Sequence, residues 1–204
     1  MSKFEIFNND DENNSKDKSK SPESPYYRLL KSRVITINDA VDSKLAKEVN
    51  AQLLFLEQED PEKEITVFIN SPGGEIFSGF SIFDTMNFVQ PKVRTVAAGL
   101  CASIAIIILL GGEKGQRFAF PNSRLLIHQP SVHGQIYGQA SDLEIAANEI
   151  MMAKEKINQI ISTHTGQSME RVVDDTERDY WLSPEESIEY GLIDKIITNR
   201  SDIA

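Results

Sequence analysis

The central apolar run of the chain, VAAGLCASIAIIILL at residues 96–110, contains one serine, Ser103, near its middle. The run is shorter than the roughly 20 residues that a membrane-spanning helix needs. Its pattern predicts a buried strand at 96–98, a tight turn near Gly99 and a buried helix that starts around Ser103. A hydroxyl at such a junction lies near the positive end of the helix dipole. A lone serine in an apolar run is more often a small residue that lets two elements pack closely, so its role depends on other stretches.

Short apolar segments alternate with amphipathic segments along the rest of the chain. The pattern predicts strands at 34–37, 65–70, 116–120, 124–128 and 192–198, and helices at 42–57, from the SPGG sequence to about Phe88, and from Ala140 to about His164. Gly166 ends the long helix. A capping box of Ser183 and Glu186, with Pro184 at the first helical position, begins a further helix that stops at Gly191. Strands that alternate with helices indicate an α/β fold built from βαβ units.

The composition is that of one globular domain preceded by a polar segment. The 204 residues, 40% of them hydrophobic, are enough for a single domain with a sizeable core. Residues 1–24 are rich in Asn, Asp, Lys and Ser, so we expect a disordered tail before a domain at 25–204.

Charge and cysteine content narrow the function classes. The net charge of −10 disfavours a nucleic-acid-binding or membrane-surface protein. The single cysteine, Cys101, excludes an internal disulfide and fits a reducing compartment, and we expect a cytoplasmic protein without a secretory signal or membrane span.

Three polar stretches are candidates to act together with Ser103. The SPGG turn at 71–74 has two glycines that let the backbone turn tightly and leave amides uncovered, and such amides can stabilise charge on a carbonyl oxygen. His128 closes a strand before a Gln-Pro sequence, which places an imidazole at a sheet edge. The acidic stretch at 174–181, predicted between helices, contains carboxylates that could orient the histidine. Each stretch also has an ordinary interpretation: a tight turn, a structural histidine and a solvated loop.

The other reactive side chains are weaker candidates. Cys101 has apolar flanks, which favour a neutral, buried thiol over a rival nucleophile. His133 and His164 are expected on the surface, and the spacing of the three histidines suggests no metal site.

Longer motifs carry a resemblance to a known family. The chain contains, in this order, FINSPGG, GLCASIA, KGQRFAFPNSRLLIHQP, GQASDLEIAANEI, HTGQS, DTERDYWLS and EYGLIDKI. From about Tyr27 to Thr198 it resembles the proteolytic subunits of the Clp protease family, which are self-compartmentalised serine peptidases. The resemblance implies an α/β fold of the ClpP/crotonase type, with repeated ββα units and a long projecting handle helix.

The resemblance also implies residue roles. Ser103 matches the nucleophile, His128 the general base and Asp179 the acid that orients it. The backbone NH groups of Gly74 and Ile104 match those that form the oxyanion hole.

Assembly and partners follow from the same resemblance. Glu177 and Arg178 match positions that pair across two stacked seven-membered rings. The implied partner is a hexameric AAA+ ATPase that uses ATP to unfold polypeptides and feed them to the chamber, while this subunit needs no metal or nucleotide. The chain departs from the usual family pattern at Ile104 and Ala105, where methionine and glycine are usual, and in a longer loop at 131–139.

Two alternatives remain open at this point. One is a non-catalytic ring subunit of a mixed Clp complex, although all three triad positions are occupied here. The other is a crotonase-fold enzyme acting on acyl-thioesters, which needs no Ser-His-Asp set and would bind coenzyme A.

Overall fold

The computed structural model of the protein describes residues 24–131 and 139–203. The expectations for residues 1–23, for most of the 131–139 loop and for His133 therefore concern residues outside those ranges. The helices are α1 (Pro25–Lys31), α2 (Ser43–Glu59), α3 (Ile76–Phe88), α4 (Ile104–Leu110), α5 (Ala140–Thr165), α6 (Met169–Thr176) and α7 (Pro184–Tyr190). The strands are β1 (Val34–Ile37), β2 (Ile65–Ser71), β3 (Val93–Ala102), β4 (Arg117–Ala119), β5 (Arg124–Ile127), β6 (Tyr180–Leu182) and β7 (Lys195–Ile196), and a 3₁₀ helix (Arg200–Ile203) follows.

The strands of the described ranges form one seven-stranded, mostly parallel sheet. Its main path runs β1-β2-β3-β4-β7, all parallel. Strand β5 lies parallel to the second half of β3, and β6 lies antiparallel to β5. Helix α4 is buried along its whole length and packs against β3, α3 and α5. The α/β prediction is confirmed, and no helix within the described residues is both long and apolar enough to cross a membrane.

Capping interactions confirm three predicted helix ends. Asp42 precedes α2 and its side chain accepts a hydrogen bond from Leu45 N at 2.7 Å. The capping box at Ser183 forms as predicted. The long helix ends at Gly166, which has the left-handed φ of 81° that glycine tolerates best.

The predicted turn at Gly99 is wrong, because β3 continues through this residue to Ala102. Gly99 marks a bend at which β3 exchanges its pairing with β4 for pairing with β5. Its φ is 133°, and an added Cβ would lie 2.7 Å from Asn70 Oδ1, so only glycine fits. Two side chains hold the bend: Ser123 Oγ accepts from Gly99 N (3.2 Å), and Asn70 Oδ1 accepts from Leu100 N (3.0 Å).

The C-terminal third differs from the prediction in two places. The acidic stretch at 174–181, predicted between helices, contains the end of α6 and the start of β6, and only residues 177–179 connect them outside helix and strand. The last strand is restricted to Lys195–Ile196. Helix α6, which begins after the Ser168 cap and buries Val172 and Thr176 four residues apart, is not among the predicted helices.

His164 is a half-buried residue at the base of α5, which corrects the surface prediction. Arg117 of β4 is buried and donates Nη1 to His164 O (3.1 Å) and Nη2 to His164 Nδ1 (3.0 Å). The His164 ring also contacts Phe83 of α3 edge-on. Burial and, second, the positive charge of Arg117 lower the pKa of His164, so the folded chain favours the neutral imidazole that can accept from the arginine.

We expect His164 to make folding stability depend on pH. Below the ordinary histidine pKa of about 6.5 the unfolded chain binds a proton that the folded chain resists, so stability is lost as pH falls through this value. His164→Asn keeps an oxygen acceptor for Arg117 but cannot titrate. Urea unfolding midpoints between pH 7.5 and 5 should therefore fall more steeply in the wild-type protein than in the variant. Parallel pH profiles would contradict this account.

Candidate active site

Ser103 occupies a strained junction between β3 and α4. Its φ of 58° and ψ of −127° are unusual for a residue with a side chain, and such conformations cost about 1–3 kcal/mol. The surrounding bonds fix the junction: Ser103 N donates to Leu126 O (2.9 Å), and Ile106 N donates to Ser103 O (3.0 Å). A serine on a sharp, strained strand-to-helix turn is the arrangement of a nucleophile elbow. The predicted start of the helix near Ser103 is thus confirmed.

The glycine turn of the SPGG sequence lies directly against this junction. A Cβ on Gly73 would lie 2.7 Å from Ser103 Cβ and 3.3 Å from Ile104 N, so only the absence of a side chain permits the approach. Val41 clamps the turn from the other side, since its N donates to Gly73 O (2.8 Å) and its O accepts from Glu75 N (2.7 Å).

Two amides at this contact have the properties of oxyanion-hole donors. Gly74 sits between the two residues that bond to Val41, so its own NH points away from Val41. Ile104 N is the first amide of α4, and the first amides of a helix have no acceptor within the helix.

His128 and Asp179 are brought together by the β5–β6 pair. The antiparallel register ends with Ile127 opposite Tyr180, so the next residue of β5 and the preceding residue of β6 meet beyond the strand ends. His128 Nδ1 and Asp179 Oδ1 are 2.9 Å apart. The imidazole is largely covered (24% exposed), whereas the carboxylate is 64% exposed. An Nδ1–H that donates to the carboxylate leaves Nε2 free to accept a proton.

Ser103 and His128 line the same small cavity of about 20 Å³. The other lining residues are apolar or proline: Ile76, Ile104, Ile127, Pro130, Ile157 and Ile161. Among the hydrogen bonds of the described residues, none joins Ser103 Oγ to His128. The structure therefore pairs the predicted base with the predicted acid, and the predicted nucleophile lines the same cavity as the base.

The remaining candidates have clear environments. Cys101 is fully buried and burial raises the pKa of its thiol, so the predicted neutral thiol is confirmed. Glu177 Oε2 bonds to Lys154 Nζ of the same chain (3.0 Å), and this hydrogen bond is the main cause of a lowered pKa at Glu177. Arg178 is exposed, and the cross-ring role of both residues stays a prediction. Within the described ranges no group of three or more His, Cys, Asp or Glu residues could hold a metal ion.

A strained serine junction, a His–Asp pair and two amides without helix or strand partners are the parts from which serine hydrolases build their sites. The chain matches the family model described as Clp protease over residues 17–200, and it belongs to that family. The fold prediction of the ClpP/crotonase type is thereby confirmed. Membership implies, in general, a serine peptidase that associates with Clp ATPases and self-assembles, although some members of the family are inactive.

We expect Gly73→Ala to lower the free energy of unfolding much more than Gly115→Ala does. Both glycines have a φ near 90°, but a Cβ on Gly115 meets no atom within 4 Å, whereas one on Gly73 meets Ala102 O and Ser103 Cβ. The control should cost only the left-handed strain of about 1–2 kcal/mol. Urea unfolding of both variants measures the difference. Equal losses would show that the turn does not press on the serine junction.

Proposed function

We propose that this chain is a catalytic proteolytic subunit of a Clp protease, a serine endopeptidase that cleaves peptide bonds of unfolded polypeptides. The observation that carries the proposal is the 2.9 Å contact between His128 and Asp179 at the same cavity as a strained Ser103. The crotonase alternative requires no such His–Asp contact next to a serine.

In the proposed reaction His128 acts first as a general base and then as a general acid. Ser103 Oγ attacks the peptide carbonyl carbon while His128 Nε2 takes the hydroxyl proton. Asp179 accepts a hydrogen bond from His128 Nδ1–H and stabilises the imidazolium. His128 then gives the proton to the leaving amine, the C–N bond breaks, and an acyl-enzyme ester remains. Water activated by the same imidazole hydrolyses the ester and regenerates Ser103.

The negative charge that develops on the carbonyl oxygen needs preorganised donors. The NH groups of Gly74 and Ile104 are the proposed pair, because the Gly73 contact brings their two segments together. The oxyanion donor at position 104 is a backbone group, so the isoleucine side chain can differ from the family's usual methionine. That side chain packs instead against α3, where a Cβ on Gly79 would meet Ile104 Cγ1.

The exposed surface of α5 supports assembly. Several large apolar side chains on this helix face outward in the single chain: Leu143, Ile145, Met151 and Met152. Exposed apolar faces of this kind are typical of interfaces. We propose that α5 is the handle helix between two stacked seven-membered rings, and that Glu177 and Arg178 pair across them.

The proposed partner of this subunit is an ATPase that consumes the ATP. A hexameric AAA+ ATPase delivers unfolded chains into the chamber, and ATP is consumed there rather than in this subunit. We propose a cytoplasmic location and no cofactor in this chain.

Ser103→Ala should abolish peptide hydrolysis and leave assembly intact. Loss of a nucleophile that acts as a unit with its base typically costs on the order of 10⁶ in turnover. A fluorophosphonate should label Ser103 of the wild-type protein, as peptide mass spectrometry can verify, and Cys101→Ala should retain that label. A Ser103→Ala protein with near-normal turnover would refute the proposal, and an unreactive wild-type protein would favour a non-catalytic ring subunit.

Arg178→Ala should yield smaller particles with weak peptidase activity, although all three proposed catalytic residues remain. Asp179 is its neighbour and is mostly exposed in the single chain, so its position is expected to depend on ring stacking. Arg171→Ala is the control, because that arginine bonds to Asp175 and Gln167 of its own chain. Analytical ultracentrifugation and a peptidase assay on the same samples measure both properties. Fully active single rings would show that the site assembles within one subunit.

A further inference from the structure

A lysine of the long helix α5 bonds to both segments that carry the His–Asp pair. Lys154 Nζ donates to Gln129 Oε1 (2.8 Å) and to Glu177 Oε2 (3.0 Å). Gln129 directly follows His128, and Glu177 lies two residues before Asp179. The lysine side chain is only 20% exposed, so its ammonium is held at this junction rather than moving freely in solvent.

Gln129 joins the same two segments directly. Its backbone N donates to Thr176 O (2.6 Å), and its side-chain Nε2 donates to Glu177 O (2.8 Å). These bonds lie beyond the last β5–β6 residue pair, where no strand ladder remains to hold the segments together. The position of Asp179 relative to His128 therefore depends on this small network.

Helix α5 holds the acid-bearing segment at two points of one face. Lys154 bonds to Glu177, and Asn158, four residues later, lies with its Oδ1 3.1 Å from Thr176 Oγ1. Residues four apart lie on the same face of a helix. Asn158 is buried and fixes the end of α6, whereas Lys154 acts on the residues that lead to Asp179.

We propose that Lys154 is a positioning residue, which holds Gln129 and Glu177 so that His128 and Asp179 stay in hydrogen-bond contact. The proposal rests on the proposed peptidase function. Lys154 is absent from the lining of the Ser103 cavity, so it acts through these neighbours and not on a substrate. Its loss should lower turnover while leaving substrate affinity unchanged.

The test compares Lys154→Met with Lys156→Met in the full-length protein. Lys156 is exposed on the same helix two residues away, and a methionine there removes an equal charge. We expect Lys154→Met to lower kcat for a small peptide substrate about 10- to 100-fold, the scale for a slightly misplaced catalytic group, with KM changed less than about twofold. Fluorophosphonate labelling of Ser103 should slow in parallel, and Lys154→Arg, which keeps a cationic donor, should restore most of the rate. A kcat equal to that of Lys156→Met would overturn the proposal.

A second measurement separates the positioning claim from the peptidase claim. Hydrogen exchange at the Gln129 amide, which donates to Thr176 O, should accelerate in Lys154→Met and not in Lys156→Met. This result is expected whether or not the chain hydrolyses peptides. A wild-type protein that never labels at Ser103 would refute the proposed function, and the exchange measurement would still test the positioning role of Lys154. Unchanged exchange at the Gln129 amide in Lys154→Met would overturn the proposed positioning role of Lys154. Loss of assembly or a large drop in melting temperature in Lys154→Met would also overturn it, because the lysine would then be a general stability residue.

Discussion

The bend in β3 at Gly99 is the constraint on which the rest of the site depends. One strand has to pair with β4 in its first half and β5 in its second half, and the bend makes both pairings possible. The buried Ser123 hydroxyl bridges the two sides of the bend, because it donates to Ala97 O (2.8 Å) and accepts from Gly99 N. Ser103 follows the second half of β3 directly, and its bonds to Leu126 O and Ile106 N leave its backbone conformation few alternatives. A helix that is buried on all sides then prevents the junction from relaxing.

The second half of the site depends on a different interaction. His128 and Asp179 belong to segments about fifty residues apart in the chain and meet only because β5 and β6 pair antiparallel. That pairing is short, and the contact lies just outside it. Helix α5 extends the support through Lys154 and Asn158, so the same helix that presents an exposed apolar face also touches the acid-bearing segment. The α5 surface proposed for assembly and the His–Asp pair are therefore linked by direct contacts within the chain.

The parts of the fold that could be predicted from the sequence are those with local causes. A few neighbouring residues are enough to predict the caps at Asp42 and Ser183, the glycine after α5 and the apolar periodicity of the strands. The bend at Gly99 could not be distinguished from a turn, because the groups that hold it, Asn70 and Ser123, lie about 25 to 30 residues away in the chain.

Long-range partners explain the other differences as well. The position of His164 near the end of a helix predicts a surface residue. The hydrogen bond from Arg117, which is far away in the sequence, shows instead that His164 is an acceptor in a half-buried site. Helix α6 is amphipathic and capped by Ser168, but its 8 residues are fewer than the window of roughly 11–18 residues over which a helical period is recognised. Motifs predict Ser103, His128 and Asp179 as candidates, whereas the 2.9 Å contact between His128 and Asp179 depends on a strand register that no single motif contains. Lys154 looks like an ordinary charged residue of a helix until its two partners are seen.

The most direct test of the account is the structure of a peptide boronate adduct of the assembled protein. The account predicts a covalent bond from Ser103 Oγ to boron, with one boronate oxygen about 2.7–3.1 Å from both Gly74 N and Ile104 N. His128 should contact a second boronate oxygen while keeping its bond to Asp179. An adduct on another residue, or a boronate oxygen turned away from both amides, would contradict the proposed site.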